Sequence, residues 1–339
     1  MVNQNRYYQI SHKYAPIFAQ KVSKEWTVAD QIAPIDFSGS IVEVANNINK
    51  LYELRDDDII PAKIYYSVCE TTTHYFLIYA VYHILDWWKR YPPLDLYNSI
   101  RDQFDEHIHD MEGALFIITK HQDREIHVDG VVTISHKNFY LYAGRRTPIE
   151  LGKSLPLRGG LNLRIVKFNE SLDGNIWLDK TTQRVKLYIQ SRGHGIKGDH
   201  KQWCGGDEIW YYSPDKVEIR HIMLDSKVLK RRSVPQTKTR TIKYDLVDIF
   251  DEGGLWDYRY NNHVFMQNKN GQWGFVYQDP KGRKHGGAAN PPWSWNDHND
   301  TSPIGEIATD PARFIIRYAQ GWGPVSTEYI YNPYQSIGT

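Results

Sequence analysis

Eight short runs of β-branched and aromatic residues constrain this chain more than any other feature. They are IYYSV (64–68), HYFLIYAVY (74–82), ALFIIT (114–119), GVVTIS (130–135), FYLYA (139–143), LRIVKF (163–168), KLYIQ (186–190) and IWYYS (209–213). Each has strand length and is bounded by Gly, Asp, Asn or Pro, the punctuation of a sandwich or barrel. Only one helix is predicted, over roughly 41–54, from the capping-box pattern Ser40-Ile-Val-Glu43 followed by Val44, Ile48 and Leu51 at helical spacing. The expected fold is therefore mainly β: a central β-sandwich with peripheral helices and long loops, residues 1–339 forming a single elaborated domain. The 24 Tyr and 11 Trp, against 11 Phe, suit sheets, and they also suit surfaces that stack on sugars or sit at a membrane interface.

Charge and motif content exclude several functions. A net charge of +1 supplies no global field for nucleic acid, so no nucleic-acid partner is expected. The basic stretch Ser226 to Tyr244, with seven Lys or Arg and no acid, reads as an exposed loop or edge hairpin. No apolar run reaches the eighteen or so residues that span a bilayer, and MVNQNRYYQISHKYAPIF shows no signal-peptide core, so the chain is expected to be cytoplasmic, with non-Sec secretion and peripheral membrane contact as alternatives. Cys69 and Cys204 form no CxxC pair and are read as two free thiols or one disulfide. There is no P-loop, no Gly-x-Ser-x-Gly, no dinucleotide glycine pattern and no His-Glu-x-x-His, which argues against nucleotide-driven and common serine-hydrolase chemistry.

The densest set of metal-ligand types is Glu106-His107-Ile108-His109-Asp110-Met111-Glu112, leading straight into an apolar strand. On an extended chain residues two apart share a face, so Asp110 and Glu112 should converge, and His107 can join them if the strand begins with a bend. A carboxylate opening a buried strand is costly unless it is paired or bound to a cation. Asp86, in Tyr82-His83-Ile84-Leu85-Asp86, and His194, between Gly193 and Gly195, are further donors that gain weight from this cluster and would alone read as structural; His136 ranks below them, and His83 and His74 lower still. Carboxylates favour Ca²⁺ or Mg²⁺, and added imidazoles favour Mn²⁺ or Zn²⁺. One divalent metal ion is thus expected, calcium or magnesium first and manganese or zinc next.

The segment resembles the Gly-His-Arg-His-Asp-Trp-Glu heptapeptide of the necrosis-and-ethylene-inducing-peptide-like proteins, secreted cytolysins with a central β-sandwich; both histidines, the Asp and the Glu match. Lys13-Tyr14-Ala15-Pro16-Ile17 and Asp110-Met111-Glu112-Gly113 are similar to the vacuolar-protein-sorting sixty-two family, and bacterial relatives share His136-Lys137-Asn138-Phe139-Tyr140 and Pro291-Pro292-Trp293-Ser294-Trp295. The resemblance implies a metal site of Asp86, His107, Asp110, Glu112 and His194, with His109 adjacent, in a cleft that binds a small molecule or glycolipid head group. The heptapeptide's Gly, Arg and Trp are here Glu106, Ile108 and Met111. Two other functions stay open: a metal-dependent hydrolase of an ester or phosphodiester, with His109 and Glu112 managing protons, and an intracellular trafficking or scaffold protein. A cupin reading of the His-x-His segment is weakened by a Glu one residue early and by the lack of a second cupin motif.

Overall fold

The computed structural model describes residues 2–87, 108–120, 128–144, 155–156, 162–163, 172–198, 208–215, 239–279, 281–298, 302–318 and 324–336. Strand β1 (Ile17–Val22) follows an N-terminal helix, and β2 (Ala62–Thr71), β3 (His74–His83), β4 (Asp110–Thr119), β5 (Val128–Ser135) and β6 (Asn138–Ala143) form a continuous antiparallel meander. The predicted strand at 163–168 falls almost wholly outside the described residues. The other seven runs are strands in place.

These strands belong to one 13-stranded sheet. Its path runs from Trp177–Leu178 through Val185–Ile189, β1, Glu208–Ser213 and Thr239–Asp248 into β2, and then along the meander to Leu172–Asn175 beside β6. The first and last strands of that path are separated in sequence by Ile176 alone, so the sheet curls until its two edges are consecutive pieces of chain. Unpaired edges are what a sheet must otherwise protect, and this curl nearly removes them. Mixed pairing makes it possible: Thr239–Asp248 runs parallel to both Glu208–Ser213 and β2. The end of the basic stretch is consequently an interior strand carrying buried Tyr244, rather than a loop or an edge hairpin. Residues 216–238 lie outside the described residues.

Both faces of the meander are covered, which explains apolar runs without clean alternation. Leu77, Tyr79, Phe116 and Val131 turn inward against Phe18, Leu187 and Trp210. Phe76, Ile78, Leu115 and Ile134 pack on the opposite side, where residues 26–60 and the C-terminal part of the chain form an outer layer. Gly113 is fixed by that second contact. A Cβ at 113 would overlap the Tyr79 carbonyl oxygen and the edge of the Trp295 indole. Gly113→Ala is expected to lower stability by about 1–3 kcal/mol, the usual range for overpacking, read as a drop in the urea midpoint; an unchanged midpoint would show that the indole is free to move.

Local signals were only partly followed. Residues 41–54 are helical, but as a 3₁₀ segment (Ile41–Asn46) continuing into an α-helix (Asn47–Glu53), and the Ser40 side chain makes no capping hydrogen bond. The N-terminal helix (Val2–Tyr14) has no strong apolar periodicity. Tertiary contacts hold it instead: the Tyr7 hydroxyl donates to Glu70 at 2.8 Å, the Tyr79 hydroxyl donates to the Ser11 carbonyl at 2.7 Å, and Arg184 donates to the carbonyls of His12, Lys13 and Ala15 at the helix end. Cys69 is a buried free thiol near the Ala308 carbonyl, and Cys204 lies outside the described residues. No helix among the described residues is long and apolar enough to cross a membrane.

Asp248, at the end of its strand, gives a pH test of the sheet. Burial first, and the nearby Asp251 charge, push its pKa up to about 6. Because the folded value exceeds the unfolded one, this carboxyl favours folding fully below about pH 4, and that contribution is lost as the pH rises through 6. Asp248→Asn keeps an acceptor for the Phe250 amide. It should raise stability at pH 8 by about 3 kcal/mol and leave it unchanged at pH 4; equal effects at both values would contradict the assignment.

Candidate functional site

The site forms where β3 ends and β4 begins. The register pairs His83 with Asp110 and Val81 with Glu112, so the meander brings the Tyr82–Asp86 stretch alongside the carboxylates of β4. Asp86, Asp110 and Glu112 all line one cavity of about 220 Å³, together with His109, His136, Lys137, Asn290, Trp295 and Asn296. The expected shared face of Asp110 and Glu112 is therefore present. His107 lies outside the described residues.

Each carboxylate has a different setting. Glu112 is 6% exposed. One of its oxygens accepts the His136 amide at 2.6 Å and the other the Ile196 amide at 3.0 Å. These bonds tie β4 to the β5–β6 turn and to the short strand Ile196–Lys197. Burial, and then the Asp110 charge, still hold the Glu112 carboxyl well above the ordinary carboxylate range. Burial also raises the pKa of Asp110, with the Asp86 charge adding to it and His194 opposing it. Three carboxyl groups, Asp86 and Glu112 buried and Asp110 partly buried, thus sit close enough for Asp86 to act on Asp110 and Asp110 on Glu112.

His194 stands behind Asp110 rather than in the cavity wall. Its loop is strained: Arg192 and His194 have φ of +73° and +46°, values that are uncommon outside glycine. The loop also lies close against the β5–β6 turn, since a Cβ at Gly193 would meet the His136 ring. The fully buried imidazole has Nδ1 3.3 Å from Asp110 Oδ2 and Nε2 3.3 Å from Asp30 Oδ1. Burial disfavours its charge, but the two carboxylates outweigh that and push its pKa up to about 10.

His83 lies flat on this ring, with centroids 3.7 Å apart and planes 3° apart. Burial and then the His194 charge lower its pKa well below the usual value. The Nε2 of Gln20 donates to His83 Nε2 at 2.9 Å, whereas His83 Nδ1 has no hydrogen-bond partner among the described residues. Ligand atoms of His83, Asp110 and His194 fall within 4.8 Å of one another. That closeness does not make a three-ligand site, because imidazole lone pairs lie in the ring plane and one ion cannot lie in two parallel stacked planes. The carboxylates facing the cavity are the donors that fit a cation, with oxygen chemistry suited to calcium, magnesium or manganese.

His109 is also buried. Its Nδ1 accepts from the Tyr82 hydroxyl at 2.7 Å, while Nε2 is 3.2 Å from the Val276 carbonyl, and burial lowers its pKa to about 4. Both nitrogens are thus spent on holding β3, β4 and the strand Trp273–Gln278 together. This geometry gives the hydrolytic reading of His109 no support.

Asp30, Gln20 and the stacking role of His83 were not marked by the sequence. Asp30 lies in the short 3₁₀ helix Thr27–Asp30 and has no motif around it. A buried Asp in an apolar setting is the one signal that could have pointed to it.

No protein-family model and no curated protein matches the sequence significantly. Among solved structures, the chain is similar to Necrosis and Ethylene inducing Protein 2 from the causal agent of cocoa's Witches Broom disease, at 14% identity and a TM-score of 0.28 over 58% of this chain and 69% of that one. It is similar to the non-toxic HaNLP3 protein at 12% identity and a TM-score of 0.29, over 58% and 70%. It is also similar to NLPPya in complex with glucosamine at 14% identity and a TM-score of 0.22, over 41% of this chain and 44% of that one, less than half of that protein's length.

Proposed function

We propose that this protein binds one divalent cation at the floor of the 220 Å³ cavity and uses it to hold a polar or anionic head group, a sugar, phosphate or lipid head group. The observation that carries this reading is the convergence of Asp86, Asp110 and Glu112 on one cavity, where burial and mutual repulsion raise the pKa of both Asp110 and Glu112. A hard cation relieves both costs. Asp86 and Asp110 would hold the ion, Glu112 would add a remaining lone pair, and the ion would supply a positive anchor for oxygen ligands. The rest of the wall suits such a ligand: Asn290 and Asn296 bring amides, Trp295 an indole, and His136 and Lys137 nitrogen donors.

Isothermal titration tests the reading in two stages. Calcium, magnesium and manganese are titrated singly into chelator-treated protein, and then a panel of hexosamines, inorganic phosphate and phosphocholine is titrated with and without the ion that binds. The expected result is cation binding lost in Asp110→Asn, and head-group binding seen only with the ion. Head-group binding that persists unchanged in chelator would overturn the role given to the cation.

A further inference from the structure

The strongest polar arrangement outside the cavity wall centres on Asp30. Its carboxylate is fully buried, yet it lies on the far side of His194 from Asp110. Its Oδ1 accepts the Trp87 indole N–H at 2.8 Å and the Arg192 amide at 2.7 Å and lies 3.3 Å from His194 Nε2, while Oδ2 accepts the Ser23 amide at 2.7 Å. One side chain therefore gathers the segment after β1, the segment carrying Asp86 and Trp87, and the strained loop carrying His194. Gln20 extends the same unit: its Nε2 donates to the Asp30 carbonyl as well as to His83. His83 then covers the face of His194 and leaves the imidazole no room to tilt.

We infer that Asp30 is a positioning residue for the cation site, acting through His194 to fix the carboxylate of Asp110 toward the cavity. The inference rests on the cation reading above and extends it to a residue that touches neither the cavity nor the ion. Asp30 accepts a hydrogen bond from His194 Nε2–H, which orients the ring so that Nδ1–H meets Asp110 Oδ2 and leaves the other Asp110 oxygen for the cavity. Carboxylate–imidazole pairs behind a ligand work in this way, and losing the outer partner typically weakens metal affinity about 10–100-fold. The same carboxylate also holds the Trp87 indole, one residue from Asp86, so both cavity aspartates depend on it.

The test uses the full chain and Mn²⁺ alone as the probe, read by titration calorimetry and by the free-ion electron paramagnetic resonance signal. Asp30→Asn keeps the shape and an acceptor oxygen for Trp87 and Arg192 while removing the charge. Asp245→Asn, on an exposed side chain far from this network, controls for the loss of one negative charge. The native protein should bind Mn²⁺, Asp110→Asn should lose binding, Asp30→Asn should bind about 10–100-fold more weakly, and Asp245→Asn should stay within about twofold. An Asp30→Asn affinity within twofold of native would overturn the inference and leave the cation reading standing. Absence of Mn²⁺ binding by the native protein, or binding indifferent to Asp110→Asn, would bring down the cation reading and this inference with it. Should Asp30→Asn not fold, His194→Gln decides the point with the same Mn²⁺ probe: an affinity about 10–100-fold weaker supports the inference, and an affinity within about twofold of native overturns it.

Discussion

Asp110→Ala should erase most of the difference between the melting temperature measured in chelator and that measured in excess calcium, magnesium or manganese. In the native protein, an ion present at about a hundred times its dissociation constant adds roughly 2.7 kcal/mol, because it binds the folded state and not the unfolded one. Asp110 is the residue whose removal matters most. It lines the cavity, it is repelled by Asp86, and it has His194 behind it. In chelator the same substitution removes a partly buried charge that burial and Asp86 oppose, and this offsets part of the loss of its contact with His194. His136→Ala, on the cavity wall, should shift the ion-dependent part less. Melting curves of the native protein that ignore both chelator and every divalent ion, on protein shown to hold no metal, would reduce the cluster to a structural feature.

Glu112→Ala should differ in destabilising the protein even in chelator. Its two oxygens satisfy the His136 and Ile196 amides, and truncation would leave the buried Ile196 N–H without an acceptor while water can reach the His136 N–H at the exposed turn. One such buried loss costs about 1–3 kcal/mol, and that loss is expected from urea unfolding followed in chelator. Glu112→Gln keeps one acceptor and should fall between the alanine variant and the native protein. A Glu112→Ala protein as stable in chelator as the native one would show that water or a local shift replaces the carboxylate, and that the tie between β4 and the β5–β6 turn is dispensable. The contrast with Asp110→Ala separates the ion-independent part of the Glu112 contribution from the ion-dependent part carried by Asp110.

Much of the fold was legible in the sequence because its strands carry their own signal. Runs such as HYFLIYAVY and ALFIIT are buried on both faces, and residues of that kind in that length have few alternatives to a covered strand. The cost of placing Glu112 at the head of such a strand was also visible, and so were the shared face of Asp110 and Glu112 and the kinship of Asp86 with them. The N-terminal helix was not legible, since its contacts with Glu70, Tyr79 and Arg184 come from 63 to 172 residues away. The same is true of Thr239–Asp248, whose strand pairing overrides a composition that reads as a solvated loop.

What only the tertiary structure decided is the division of labour within the site. From the sequence, His194 reads as a metal ligand and His109 as an adjacent residue that could manage protons. Folding places His109 between Tyr82 and the Val276 carbonyl, and His194 between Asp30 and Asp110. Asp30 is 164 residues from His194 in the chain and is surrounded by no motif. The two meet because Val185–Ile189 pairs in parallel with β1, which carries the segments following both strands to the same end of the sheet. Local sequence specifies which residues can form a strand and which face they share, whereas the meeting of a buried carboxylate with a distant imidazole depends on strand order, a property of the whole chain's hydrogen-bonded pairing that no short segment contains.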